Sequence, residues 1–317
     1  MALEFAAIRD AHKRIRDKVN RTPIMTSEAL DALSGAQLFF KCENLQNAGA
    51  FKARGATNAV FLLTDEQAKR GVVTHSSGNH AAALARAARL RGIPAYIVMP
   101  SSVPKAKKAS VERYGGKVIL CEPTMQARES TAKEWEERTG AEFIHPYNDL
   151  RVMAGQGTTA IEILEDVPDL DMVLCPVGGG GQLSGVAVAS KALRPEIAVI
   201  GVEPAGADDA FRSFHGGKLV LPTNPRSVAD GLLTTLGPNP FAEFQRHVTD
   251  IVTVSEEGIV NAMRTIWEVL KLVVEASGAV PYAAVVENRL DIKGKRVALI
   301  LSGGNLDLDL LPWQRRS

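Results

Sequence analysis

The chain has 317 residues, 45% of them apolar, and a formal net charge of +1, which is enough for two packed α/β lobes and too long for one small core. Basic residues do not cluster, which excludes nucleic acid and anionic membrane as expected partners. No apolar run is long enough to span a bilayer, because the longest, around Met172–Ser190, is interrupted at Gly178–Gly181. Cys42, Cys121 and Cys175 are isolated and odd in number, fitting a reducing compartment better than a disulfide or zinc framework. The first ten residues lack the basic start and apolar core of a signal peptide. A cytoplasmic location is therefore expected.

In chain order, Phe5–Val19 reads as an amphipathic helix closed by Arg21-Thr22-Pro23, and Ser27–Leu33 as a short helix. Gln37–Cys42 is strand-like and leads towards Lys52. Helix follows over Gly55–Leu63, and Thr64-Asp65-Glu66 caps the next. From Gly71 the pattern becomes regular: strands Gly71–Thr74, Ala95–Met99, Lys117–Cys121 and Glu142–Ile144 alternate with helices Asn79–Arg91, Pro104–Tyr114 and Met125–Arg138. That alternation predicts a parallel sheet with right-handed crossovers. Further on come helix Val152–Leu164, strand Met172–Pro176, helix Gln182–Leu193 and strand Ala198–Val202. Phe211–Asp230 carries a poor helical signal. Glu256–Leu272 and Tyr282–Asn288 read as helices, and Arg296–Leu301 as the last buried strand. The expected architecture is α/β and two-lobed, each lobe a mainly parallel sheet flanked by helices. Residues 71–148 form a small domain inserted in a large one built from 1–70 and 149–317, with the site in the cleft between them.

Five stretches carry chemistry. In Asn47-Ala-Gly-Ala-Phe51-Lys52-Ala-Arg54-Gly55, a lysine follows an aromatic ring at the end of a strand-like run. Desolvation there would favour the neutral amine, a nucleophile whose commonest use is Schiff-base chemistry with pyridoxal phosphate. Gly178, Gly179, Gly180 and Gly181 lie between a buried strand and a helix, where successive amides and the helix N-terminus suit one phosphate. No Gly-Lys-Ser/Thr follows, so this is not a nucleoside-triphosphate loop. His75-Ser76-Ser77-Gly78-Asn79-His80 again joins strand to helix and gathers hydroxyls, an amide, an imidazole and helix amides suited to a carboxylate and a cofactor oxygen. Ser302, at the end of the last strand, suits a heterocyclic nitrogen or a plain turn. Glu203, Ala207 and Asp209 fit either a hard-cation site or a solvated acidic loop.

Together these motifs resemble the fold-type II pyridoxal-phosphate enzymes, specifically the serine racemase and serine/threonine dehydratase family. The similarity spans essentially the whole chain and includes Ala154-Gly155-Gln156-Gly157-Thr158, Gly201-Val-Glu203-Pro204, Ala229-Asp230-Gly231 and Leu301-Ser302-Gly303-Gly304-Asn305. The resemblance implies that Lys52 is the Schiff-base lysine, that Phe51 packs beside the cofactor ring, and that Asn79 bonds the phenolic oxygen. Gly178 to Gly181 would take the phosphate and Ser302 the pyridine nitrogen. Ser76, Ser77, Asn79 and His80 would hold the substrate carboxylate, with Ser77 as the acid/base on the opposite face. Glu203, Asp209 and the Ala207 carbonyl match the family's magnesium or calcium (or manganese) site, and a homodimer is the family's usual state. No regulatory domain is expected beyond the catalytic part, as in the short catabolic members.

The sequence departs from the family at Ala50, where serine is common, at Ala81-Ala82-Ala83 after His80, and at Pro281-Tyr282, where small residues are usual. Arg128 matches a family arginine that reaches the distal carboxylate of dicarboxylic ligands, and guanidinium suits forked binding of a carboxylate. The other reading is an exposed arginine on a polar helix face. With Thr234 nearby, the first reading predicts 3-hydroxyaspartate as substrate, giving oxaloacetate and ammonia. The second predicts L-threonine or L-serine, giving 2-oxobutanoate or pyruvate. A serine or aspartate racemase is the closest rival, and a non-catalytic amino-acid or cofactor binder is the rival from another class.

Overall fold

The computed structural model describes residues 2–314; Met1 and residues 315–317, the ends of the expected large lobe, lie outside the described residues. Ten strands form two sheets. They are β1 (Ile24–Met25), β2 (Gln37–Lys41), β3 (Val72–His75), β4 (Ala95–Pro100), β5 (Lys117–Cys121), β6 (Glu142–Phe143), β7 (Met172–Pro176), β8 (Ala198–Pro204), β9 (Asp250–Val254) and β10 (Arg296–Ile300). The larger sheet has the order β1-β2-β10-β7-β8-β9 and the smaller β5-β4-β3-β6. Only β1 runs antiparallel to its neighbour.

The central strands of the larger sheet are apolar on both faces, as a parallel sheet covered by helices requires. Leu38, Phe40, Leu174, Val297 and Leu299 point into one core, while Val173, Cys175, Ala298 and Ile300 point into the other. The smaller sheet has its own core around Val72, Ile97, Met99 and the alanines of helix Asn79–Arg91. Ala56, Ala59, Val60, Leu63 and Ala68 share that core, so residue 71 marks where the small sheet begins and not where its packing begins.

Helix Leu150–Asp166 is buried along most of its length and packs so closely that a Cβ at Gly155 would lie 2.6 Å from the Arg54 carbonyl oxygen. The Gly155-Gln156-Gly157-Thr158 motif is thus a packing device. Gln156 Oε1 accepts from the Gly55 amide at 3.1 Å, and Thr158 Oγ1 accepts from Arg54 Nη1 at 3.2 Å.

The elements differ from expectation in several places. Helix Lys52–Leu62 begins at the lysine itself, after two short 3₁₀ turns (Glu43–Leu45 and Asn47–Gly49), so Lys52 opens a helix and does not end a strand. Helix Asp209–Gly216 opens the stretch that reads as irregular. Helix Pro238–His247 and edge strand β9 are additions to the expected elements. The expected helix over 256–272 stops at Thr265, widens into a π turn over Ile266–Leu270, and is ended by Lys271 at φ 59°. Pro281 lies inside helix Ala276–Val286, where it withholds an N–H from the preceding turn. Tyr282 beside it fills the core edge-on to Phe40, ring centroids 5.6 Å apart, which accounts for the large ring at that position. Among the described residues no helix is long and apolar enough to cross a membrane.

Candidate active site

Strands β3, β7 and β10 are parallel members of their sheets, and each ends in one of the chemically marked loops. Such C-terminal strand ends are where α/β sheets bind ligands. The loop before Lys52 is fixed to the one after β10. Ala50 pairs with Gly303 in an isolated bridge, the Phe51 amide donates to the Ser302 carbonyl at 3.0 Å, and Gly304 N–H donates to Gly49 O at 2.9 Å. Phe51 and Lys52 are therefore tied to Ser302 although 250 residues separate them in sequence.

Lys52 Nζ donates to the Pro146 carbonyl at 2.8 Å and lies 5.1 Å from the centroid of the Phe51 ring. Burial pulls its pKa down to about 8, since a desolvated ammonium is disfavoured. The amine is thus within reach of its neutral, nucleophilic form near physiological pH.

Gly178, Gly179 and Gly180 are buried, and their amides have no hydrogen-bond partner among the described residues. They lead into helix Gly181–Leu193, whose first amides lack intrahelical acceptors. Gly180 takes φ 89°, a conformation open to glycine. A Cβ at Gly179 would lie 2.4 Å from the Tyr147 ring, so no side chain fits there. Unpartnered amides, a bare backbone and a helix N-terminus fit a phosphate. Thr234 lies against this same loop, its Oγ1 2.9 Å from where a Cβ of Gly178 would stand.

Asn79 opens helix Asn79–Arg91. Its Nδ2 donates to Glu275 Oε1 at 2.8 Å and its Oδ1 accepts from Asn305 Nδ2 at 2.9 Å. Asn305 is itself held through the Ala48 carbonyl at 2.7 Å. These bonds fix the amide's orientation and leave one Asn79 N–H uncommitted. Glu275 was invisible to sequence reading. Its carboxyl is buried, pushed up to about 8 by that burial, and a Cβ at Gly303 would meet its Oε1 at 2.2 Å. It sits between Asn79 and the Ser302-Gly303 turn, its own amide donating to the Gly303 carbonyl at 3.0 Å.

Ser76 and Ser77 are half-buried, and the Ser77 hydroxyl has no partner among the described residues. His80 is different. Its imidazole is 2% exposed, Nε2 faces the Ile144 carbonyl at 3.4 Å, and Nδ1 is enclosed without a partner among the described residues. Burial holds the ring well below the usual histidine pKa. Lys107, in helix Lys105–Arg113, and Asp230, which opens the 3₁₀ turn Asp230–Leu232, form an exposed ion pair at 2.7 Å.

Arg128 sits in the first turn of helix Met125–Thr139, half-buried, with its Nε enclosed and lacking any hydrogen-bond partner. Its charge acts on His75, whose pKa is lowered first by burial and then by Arg128, against the opposing pull of Glu129. His75 in turn faces His145, ring centroids 6.0 Å apart.

Glu203 and Asp209 are both buried, and neither has an ion pair among the described residues. Glu203 Oε1 and Oε2 accept from the amides of Ala210 at 3.1 Å and Phe211 at 2.8 Å, and Asp209 Oδ2 from Leu236 at 2.8 Å. Burial raises both carboxyl pKa values, Glu203 well above the usual range, and each is raised further by neighbouring carboxylates. The Ala207 carbonyl adjoins them in a short 3₁₀ turn. No cluster of three or more His, Cys, Asp or Glu occurs among the described residues. Two uncompensated carboxylates beside a carbonyl do fit a hard cation.

A family model described as pyridoxal-phosphate dependent enzyme matches residues 15–303. The chain belongs to that family. Among its relatives, a β-hydroxyaspartate dehydratase of Paracoccus denitrificans (strain Pd 1222) is 53% identical over 303 residues, covering 96% of each chain. A serine racemase of Arabidopsis thaliana is 49% identical over 315 residues, 98% of this chain and 95% of that one. The solved structure of maize serine racemase superposes with a TM-score of 0.95 at 45% identity, covering 98% of this chain and 95% of that chain. The fold is that of fold-type II pyridoxal-phosphate enzymes of the serine racemase and dehydratase group, as the motifs implied.

For a pyridoxal-phosphate enzyme the residues described above form a coherent set. The unpartnered glycine amides fit the phosphate, the buried amine fits the aldehyde, and Asn79 and Ser302 offer an uncommitted N–H and a hydroxyl that fit ring heteroatoms.

Proposed function

We propose that this protein is a hydroxy-amino-acid dehydratase acting on 3-hydroxyaspartate, releasing oxaloacetate and ammonia. The observation that carries the reading is Arg128: a half-buried guanidinium in the first turn of helix Met125–Thr139, near enough for its charge to act on His75 at the end of β3, has terminal N–H groups suited to forked binding of a carboxylate. A distal carboxylate satisfies them and a threonine methyl does not. The 53% identity to a β-hydroxyaspartate dehydratase supports the same choice.

In this reading Ser76, Ser77 and the first amides of helix Asn79–Arg91 bind the α-carboxylate, where the helix terminus favours negative charge. Lys52, neutral above about pH 8, takes the Cα proton. Pyridoxal phosphate, when bound, supplies the electron sink for the pair that this deprotonation leaves. The 3-hydroxyl departs as water, and hydrolysis of the resulting enamine-imine consumes one water and releases ammonia and the keto acid. Ser77, with its uncommitted hydroxyl, supports serine or aspartate racemisation as a second activity of the same site.

The test is keto-acid and ammonia release from each 3-hydroxyaspartate isomer, L-threonine and L-serine, with product chirality followed in parallel. Hydroxyaspartate is expected to win, and Arg128→Ala to lower its kcat/KM about 100-fold, the loss of one charge-assisted forked contact. A preference for threonine or serine that Arg128→Ala leaves untouched overturns the reading.

We further propose that Glu203, Asp209 and the Ala207 carbonyl hold a divalent cation, with magnesium the first choice. Without it the two folded carboxyl groups bind protons more tightly than unfolded ones, so stability falls as pH rises above the unfolded carboxyl pKa of about 4.5. Magnesium added after chelation is expected to raise Tm, more at pH 8 than at pH 5, and to do nothing in Glu203→Gln. An equal rise in that variant would remove the site.

A further inference from the structure

The loop after β6, His145-Pro146-Tyr147-Asn148, joins the lysine to the small lobe, and no motif in the sequence singles it out. His145 Nδ1 accepts hydrogen bonds from two backbone amides, Asn148 at 2.9 Å and Tyr147 at 3.3 Å. A ring nitrogen receiving two N–H groups carries no proton, so the neutral imidazole must bear its hydrogen on Nε2. That Nε2 has no hydrogen-bond partner among the described residues and is not enclosed with the buried, unsatisfied atoms. The ring is held edge-on to Tyr147 (centroids 4.6 Å) and to Phe143 (6.1 Å). It is a fixed, single N–H donor.

Its position follows from its neighbours. The next residue, Pro146, holds the Lys52 amine through its carbonyl at 2.8 Å. On the other side His75 stands 6.0 Å from His145 and feels the charge of Arg128. His145 thus stands between the residue that anchors the lysine and the histidine that feels the charge of Arg128. The groups acting on His145 are His75, Lys52 and Asp149; burial, then the first two, pull its pKa down to about 4, against Asp149. It therefore remains an uncharged donor wherever the enzyme works.

Resting on the substrate reading above, we propose that His145 Nε2–H is the second donor to the distal carboxylate of the substrate, making His145 a specificity-determining residue alongside Arg128. A forked guanidinium contact leaves lone pairs on both carboxylate oxygens, and a neutral donor satisfies one of them without attracting anions that lack the right length.

Two substitutions separate the ring's two jobs. In His145→Asn the side-chain oxygen takes the place of Nδ1 as acceptor for the loop amides, and no atom stands where Nε2 was. In His145→Gln the side-chain amide reaches that place and can donate. With holoenzyme, the ratio of kcat/KM for hydroxyaspartate over threonine is expected to fall about tenfold in His145→Asn, mainly through KM, and to return to within about threefold of wild type in His145→Gln. Succinate, a dicarboxylate of the same length without an amine, is expected to bind about tenfold more weakly to His145→Asn by perturbation of the cofactor absorbance. An unchanged ratio, an equal loss on both substrates, or a glutamine variant no better than asparagine overturns the assignment. If the wild type does not prefer hydroxyaspartate, both the substrate reading and this assignment fall. If the preference exists and answers to Arg128→Ala but not to His145→Asn, only the His145 assignment falls.

Discussion

Lys52→Ala is expected to abolish turnover on every substrate, by at least about 10⁴-fold, together with the absorbance of the lysine-linked cofactor. Two losses combine in that one change. A positioned base contributes about 10²–10⁴-fold, and the covalent anchor of the cofactor goes with it. The amine is prepared for both roles by its surroundings: the Pro146 carbonyl at 2.8 Å orients it, and burial brings its pKa to about 8. The sign of the pH effect follows. Because the folded pKa lies below that of a free lysine, the neutral form dominates above pH 8, and kcat should rise through that value and level off. The nearby imidazoles of His80 and His145 are both shifted downward, so neither contributes a rise near pH 8. Retained turnover in Lys52→Ala would falsify the assignment.

The second large effect lies behind the lysine. Arg54, two residues along the same helix, has a fully buried side chain and is bonded to two carboxylates: Nε and Nη2 to Glu43 at 2.8 and 2.7 Å, Nη1 and Nη2 to Glu162 at 2.7 Å each. Lys41 Nζ completes the group, 2.7 Å from Glu162 and from the Thr22 carbonyl. Burial opposes the charge on Arg54, and Glu43 and Glu162 outweigh it. Two positive and two negative groups balance within the protein. Arg54→Ala leaves Glu43 unpaired and Glu162 with Lys41 alone, and is expected to cost about 3–5 kcal/mol, a fall in Tm on the order of 10 °C. Thermal unfolding of the variant measures this; a loss below about 1 kcal/mol would show that water or rearrangement satisfies both carboxylates. The network joins β2, helix Lys52–Leu62 and helix Leu150–Asp166, so the helix that presents Lys52 is tied to the large sheet from beneath.

Much of this was legible in the sequence because the signals were local. Strand-to-helix junctions at Ser76–Asn79 and Gly178–Gly181 are written in consecutive residues, and so is the lysine behind Phe51. Glycine, serine and asparagine at a helix start have few uses. Regular alternation through residues 71–148 carried the small sheet for the same reason. Helix Pro238–His247 and strand β9 carry local signals of their own, Pro238 at the helix start and the β-branched run Ile251-Val-Thr-Val254, and belonged among the expected elements. The break at Ile266–Leu270 escaped because Trp267 is drawn by a bond from its Nε1 to the Val274 carbonyl at 2.9 Å, a contact no periodicity reports.

By itself the sequence determined the family and the α/β architecture, since backbone-driven motifs keep their chemistry wherever the chain places them. Tertiary structure alone decided the rest. It turned His80 inward, brought Glu275 196 residues along the chain to Asn79, and enclosed the Nε of Arg128 where the pattern of its helix allowed a solvated side chain. It also put Pro146 and His145 beside the lysine. Each of these depends on which groups burial deprives of water and which partners it supplies in return, and that is set by residues far apart in the chain.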